Sequence, residues 1–134
     1  MIIVTGAAGF IGSCLVSKLN DLGQNNLVLV DDFSNVEKNK NLAGKNFSLK
    51  VERIFFIDWF KENAFSISAI YHIGARTDTT EFDVNVFEEL NLNYTKDLWR
   101  ICAQHQVPFV YASSAATYGM GEFGFIDSHE LVEK

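Results

Sequence analysis

Residues 1–13 read M-I-I-V-T-G-A-A-G-F-I-G-S, and this stretch decides the fold. Met1 to Val4 form a short apolar run closed by Thr5, long enough for one buried strand and too short for a helix. Gly6, Gly9 and Gly12 follow at three-residue spacing, and an apolar helical pattern (Ile11, Leu15, Val16, Leu19) starts inside the glycine run. Strand, glycine turn and helix in that order form the device by which a doubly wound α/β domain holds a dinucleotide pyrophosphate. The backbone must turn sharply, approach phosphate without a Cβ in the way, and aim free helix N–H groups at negative charge. Gly6 is expected to permit the turn, Gly9 to let the main chain approach the pyrophosphate, and Gly12 to let the helix lie close on the sheet. Small residues also occur in turns for steric reasons alone; the placement between a strand and a helix is what favours the cofactor reading.

The 134 residues suffice for one domain, residues 1–134, and the composition (48% hydrophobic, 21% charged) is that of a globular protein. A net charge of -6 argues against a general nucleic-acid binder or a partner of anionic membranes. A cofactor phosphate must then be held by local N–H groups and a few basic side chains. No apolar run approaches the roughly 20 residues that span a bilayer, and strand-forming Met1 to Val4 does not read as a signal peptide. Cys14 and Cys102 lack paired C-x-x-C spacing, and both fall on apolar faces of expected helices, where free Cys acts as a small hydrophobe. A reduced, cytoplasmic setting and no metal site are expected.

Downstream of the glycine turn, strands and helices alternate. The first helix should run from Phe10 or Ile11 to Leu22 and stop at Gly23. Leu27 to Val30 is apolar throughout, as in a parallel strand buried on both faces, and ends in Asp31-Asp32. Asp31 lies close to the ~20-residue offset from the glycine turn at which an acidic side chain takes the adenosine ribose hydroxyls. Ser34 is positioned to cap a short helix reaching Leu42. Val51 to Ile57 should contain a third strand with Asp58 at its end, and Trp59 to Phe65 a crossover helix. Ala69 to Ile73 reads as a fourth strand running into Gly74-Ala75-Arg76-Thr77, small and polar residues suited to passing beneath a ligand. A long amphipathic helix is expected over Phe82 to His105, then a fifth strand over Phe109 to Ala112 and the turn Ser113 to Gly119. Right-handed crossovers arrange the strands 3-2-1-4-5, with ligands beyond the strand C-termini where the order reverses. His72, inside a strand, is expected to be a hydrogen-bonded structural histidine.

The spacing G-x-x-G-x-x-G, in place of the G-x-G-x-x-G dinucleotide fingerprint, resembles the extended short-chain dehydrogenase/reductase superfamily and its Rossmann-type domain. T-G-A-A-G-F-I-G-S from Thr5, H-I-G-A-R-T-D-T-T-E-F-D from His72 and Y-A-S-S-A-A-T-Y-G from Tyr111 together resemble the ADP-L-glycero-D-manno-heptose 6-epimerases. The likeness runs through the whole chain, which would form the N-terminal part of a longer family protein. It implies a bacterial enzyme of lipopolysaccharide core synthesis. Such enzymes convert ADP-D-glycero-D-manno-heptose to its L-glycero epimer through a transient keto intermediate, with NADP+, less often NAD+, carrying the hydride.

Matched residue by residue, Phe10 and Ile11 take the backbone contacts to the pyrophosphate, Asp31 and Asp32 the adenosine ribose, and Lys38 the 2′-phosphate. Ile73, Gly74, Ala75, Arg76 and Thr77 follow the cofactor toward nicotinamide, Asn91 supports the site backbone, and Ser114 supplies a catalytic hydroxyl to the reacting oxygen. Asp31 by itself favours the free ribose of NAD+, whereas Lys38 and the family favour NADP+.

The family also uses a Tyr and a Lys four residues apart on the next helix. Positions four beyond Tyr71, Tyr94, Tyr111 and Tyr118 hold Ala75, Leu98, Ala115 and Glu122, so the pair would fall past Lys134. The 134 residues alone are therefore expected to bind cofactor without epimerising. An uncovered fifth strand and the apolar Phe123, Phe125 and Ile126 lead to an expectation of self-association as a homo-oligomer, partial disorder after about Gly119, or completion by a second chain. Two other readings stay open: another nucleotide-sugar epimerase or dehydratase of the superfamily, and a non-catalytic dinucleotide-binding module.

Overall fold

The computed structural model describes residues 1–75, 88–114, 118–122 and 124–126. Five parallel strands form one sheet: β1 (Ile2–Thr5), β2 (Leu27–Asp31), β3 (Leu49–Glu52), β4 (Ala69–His72) and β5 (Phe109–Tyr111). Their order is β3-β2-β1-β4-β5, with β1 hydrogen-bonded to β2 on one side and β4 on the other. Helices α1 (Phe10–Asp21), α2 (Val36–Asn39), α3 (Arg53–Asn63) and α4 (Tyr94–His105) connect them. The family-type doubly wound sheet expected from the sequence is thus the observed one. Because the strand order reverses beside β1, right-handed crossovers leave α1 on one face of the sheet and put α3 and α4 together on the other.

Period-2 alternation along the strands sorts the core into two layers. Ile3, Val28, Val30 and Ile70 pack with Phe56 and Phe60 of α3 and Leu98, Ile101 and Cys102 of α4. Val4, Leu27 and Leu29 pack on the opposite face with Val16 and Leu19 of α1. Gly23, at φ +77°, follows the end of α1, and Gln106 closes α4 in the left-handed conformation.

Four local expectations are corrected. The short helix after β2 is capped by Asn35, whose Oδ1 accepts the Lys38 N–H, because the Ser34 hydroxyl donates instead to Asp32 Oδ1 at 2.6 Å. The third strand lies earlier than Val51 to Ile57, ending at Glu52, and α3 starts at Arg53. Phe56 and Phe60 are four residues apart, stack at 5.7 Å and are fully buried, whereas Ile54 and Phe55 face outward, so the apolar run obeys helical spacing. Asp58 consequently sits within α3, paired with Lys61, away from the strand ends. Cys14 is exposed on α1, while Cys102 is buried as expected, its thiol pushed up to about 11 by burial. The long helix is represented by a π-helical turn, Glu88–Asn93, continuous with α4; its expected start at Phe82 lies outside the described residues.

Replacing Phe60 with Ala should destabilise the domain by about 3–5 kcal/mol in urea unfolding, while Ile54→Ala should change stability by less than about 0.5 kcal/mol. A comparable loss from both would contradict the helical assignment of this segment.

Candidate functional site

The strand C-termini meet at a crevice where three glycines pack backbone against backbone. Gly6, at φ +65°, leaves β1; a Cβ there would lie 2.7 Å from the Gly74 backbone. A Cβ on Gly74 would lie 2.9 Å from Gly6 N, and one on Gly12 only 2.1 Å from the Gly6 carbonyl oxygen. Any side chain would force the β1 turn, the β4 turn or α1 apart. Gly9 N–H donates to Gly6 O at 3.0 Å, and Gly9 O receives Ser13 N–H at 2.9 Å, starting α1. No side chain caps α1, and Phe10 and Ile11 in its first turn have exposed side chains. What these two residues offer the crevice is main-chain N–H groups, which a first helical turn leaves without intrahelical acceptors.

On the β2 side, Asp31 is buried and accepts three hydrogen bonds. Ala8 N–H donates to Oδ2 at 2.8 Å, Asp32 N–H to Oδ1 at 2.8 Å, and Lys38 Nζ to Oδ1 at 2.5 Å. The carboxylate thereby ties the glycine turn to α2, and Asn41 adds a bond from its side-chain amide to Ala8 O. Asp32 is exposed, and hydrogen bonds from the Ser34 hydroxyl and backbone hold its carboxyl below the usual range. Asp31, Lys38, Thr5, Gly6, Gly74 and Arg53 line a polar cavity of about 70 Å³. Arg53 also lines a neighbouring groove with Asp32, Phe33 and Ser34. Sequence reading missed Arg53 because it set β3 several residues too late; the signal was its place directly after a strand end.

On the β4–β5 side, Ala112 N–H donates to His72 O at 3.0 Å, so Ser113 and Ser114 leave the sheet beside Gly74. Both serines line a groove of about 880 Å³ with Gly74, Ala75, Asn91 and Trp99. The structure thus brings Ser114, Asn91, Gly74 and Ala75 to one groove and Asp31 and Lys38 to the adjoining cavity. Ile73 lies between β4 and Gly74 without lining either. Arg76 and Thr77 lie outside the described residues. His72 is buried and bonded at both ring nitrogens, to Thr5 Oγ1 (2.6 Å) and Thr95 Oγ1 (2.9 Å). It is the structural histidine expected. Burial pushes its pKa down from 6.5 to about 4. The Tyr94 hydroxyl is buried with no hydrogen-bond partner among the described residues, and Tyr94 lines the small cavity. Burial, chiefly, and the Asp31 carboxylate raise its pKa, against an opposing effect of Arg53.

The glycine cradle, the N–H groups of α1, the two cations and the unpartnered hydroxyl form a donor set suited to a phosphate-bearing dinucleotide. Among the described residues no helix is long and apolar enough to cross a membrane.

Residues 2–133 match the model of the NAD dependent epimerase/dehydratase family. The chain is 43% identical over 129 residues, 95% of its length, to an ADP-L-glycero-D-manno-heptose-6-epimerase of Fusobacterium nucleatum, and covers 39% of that protein. It is also 43% identical over 129 residues to the enzyme of that name in Nitratidesulfovibrio vulgaris, covering 40% of it. The chain therefore spans about two-fifths of the length of these curated relatives. Among solved structures, the Helicobacter pylori ADP-L-glycero-D-manno-heptose-6-epimerase superposes with a TM-score of 0.75 at 20% identity, over 96% of this chain and 43% of that one, a likeness of fold. The Bacillus cereus UDP-glucuronic acid 4-epimerase, solved in complex with NAD, superposes with a TM-score of 0.73 at 28% identity, over 88% and 41% of the two chains.

The His72 environment sets a pH dependence of stability. With the folded pKa near 4 and the free value of 6.5, the unfolded chain binds the proton first as pH falls. This contribution is complete above pH 6.5 and is lost between pH 6.5 and 4, amounting to on the order of 3 kcal/mol. Urea unfolding of the native chain and of His72→Gln across that range checks this: the variant should lack that part of the slope.

Proposed function

The chain belongs to the NAD dependent epimerase/dehydratase family, and from that premise we propose that it is the cofactor-binding part of an NADP-dependent ADP-heptose 6-epimerase. The whole protein would act in the cytoplasm, inverting one carbinol centre of ADP-D-glycero-D-manno-heptose for lipopolysaccharide core synthesis. The names of the relatives at 43% identity support the substrate. The charge pattern beside the glycine turn supports the cofactor.

One observation carries NADP over NAD: Lys38 Nζ rests on Asp31, and Arg53 lines the same cavity. An acidic residue at this position ordinarily suits an unmodified ribose and repels a 2′-phosphate. Here Lys38 offsets that charge, and the two cations are placed to receive a dianion.

In this reading the N–H groups of Phe10 and Ile11 hold the pyrophosphate, and Asp31 and Asp32 take the adenosine ribose. Lys38 and Arg53 receive the 2′-phosphate. Ile73 to Thr77 guide the other half of the cofactor into the large groove, and Asn91 supports the site backbone there. Ser114 presents its hydroxyl to the reacting oxygen and stabilises charge as it develops there. The bound nicotinamide supplies the reversible hydride acceptance that inversion at a carbinol carbon needs. No tyrosine of the 134 residues has a lysine four positions on, so the proton-transfer pair of this chemistry is not among them. Exposed Val110 on the edge strand β5, outside the groove, supports assembly as a homo-oligomer.

Titration of the 134-residue chain with NADP+ and NAD+, followed by fluorescence of Trp99 in the groove, should give binding about tenfold tighter for NADP+. Lys38→Met should erase the preference without abolishing NAD+ binding. Equal affinities in the native chain would reject the NADP assignment, and no binding of either would reject the cofactor site. Light scattering should find a dimer or larger assembly; a monomer would reject the proposed oligomer.

A further inference from the structure

His72 does more at the crevice than fill the core. Thr5 ends β1, His72 ends β4 and Thr95 lies in the first turn of α4, so one run of side chains joins three elements beneath the rim. Its polarity follows from its partners. The Gly74 amide can only donate, so Thr5 Oγ1 accepts from it at 3.1 Å. Thr5 Oγ1 could accept a second bond, but among the described residues His72 Nδ1 is the acceptor within its reach, so the hydroxyl proton goes there and Nε2–H is left to donate to Thr95 Oγ1. The rings of Tyr94 and Phe109, each 5.9 Å from the imidazole, wall it in place. The uncharged Nε2–H tautomer is the form this arrangement fits, in keeping with the burial of the ring.

Gly74, at the top of this run, divides the site. Gly74 and Ala75 line both the small cavity with Asp31 and Lys38 and the large groove with Asn91 and Ser114. A doubly wound sheet places one half of a dinucleotide on each side of its switch point. Whatever holds the Gly74–Ala75 turn therefore acts on the half lying over the β4–β5 groove, while the Asp31 side has its own fastening through Ala8 and Lys38.

We infer that His72, acting through Thr5 and Thr95, is a positioning residue that holds the Gly74–Ala75 turn against the turn carrying Asn91 and so sets the binding of the nicotinamide half of the cofactor. This rests on the dinucleotide reading above.

The test uses the 134-residue chain with two ligands, NADP+ and adenosine 2′,5′-bisphosphate, which lacks the nicotinamide half. Thr95→Val and His72→Phe should weaken NADP+ about tenfold, the equivalent of one buried hydrogen bond, and leave the bisphosphate within about twofold. Thr95→Ser, which restores the acceptor, should bind both like the native chain. His72→Asn, whose carbonyl can accept from Thr5 without reaching Thr95, should fall between. Nitrogen-15 NMR of the unaltered chain, which needs no variant to fold, should show His72 as the Nε2–H tautomer.

An Nδ1–H tautomer, equal weakening of both ligands, or undiminished NADP+ binding in Thr95→Val overturns the inference while leaving the cofactor reading intact. A native chain that binds neither ligand overturns the cofactor reading, and the inference with it.

Discussion

The structure depends on a contact that involves no side chain: the backbone of Gly6 lies against those of Gly12 and Gly74. This contact brings the end of β1, the start of α1 and the turn after β4 to a common point. The connections leaving β1 and β4 part beyond the strand C-termini, because they run to opposite faces of the sheet, and the crevice that results is open by topology. The glycines decide how narrow its floor becomes. With a Cβ at any of the three, the floor would widen by a substantial fraction of an ångström at least. The main-chain N–H groups of α1 would then stand away from a ligand resting there.

A second constraint is electrostatic. The chain carries a net charge of -6 and would hold an anionic ligand, so long-range attraction cannot bring the two together. The structure resolves this locally. Asp31, the buried carboxylate beside the glycine turn, is surrounded by two backbone amides and the Lys38 ammonium. The same bonds fix the glycine turn to β2 and α2, so neutralising the carboxylate and shaping the turn are one act. A buried carboxylate that lost these donors would carry the full cost of its desolvation.

How far the sequence could be read follows from these two scales. The strand order, the turn at Gly6, the close packing at Gly12 and the gathering of Asp31, Gly74 and Ser114 at one rim were legible, because each follows from residue type and spacing along the chain. The β3–α3 boundary was not. Val51 to Ile57 is apolar enough for either element, and only the sheet edge, where β3 is largely exposed, shows that four residues suffice for the strand. That misreading displaced Asp58 to the rim and hid Arg53. Thr5, Tyr94 and Thr95 escaped notice for another reason: they are ordinary residues within regular elements, and their importance arises from contacts across 67 or 23 positions of chain.

The two halves of the crevice are also built differently, and this bears on how such a site works. On the Asp31 side the carboxylate is already engaged by Ala8, Asp32 and Lys38 and the space is small. On the Ser114 side the groove is wide, and its walls include Leu92, Trp99, Phe109 and Tyr111. Binding energy gathered on the preorganised half can hold a cofactor firmly, because little has to be ordered when the ligand arrives. The other half is wider and walled by apolar side chains, so it leaves more room for whatever part of a ligand enters it. A hydroxyl in such a groove interacts more strongly with a charge as its surroundings exclude water. The apolar walls of the groove are the part of this chain suited to excluding it.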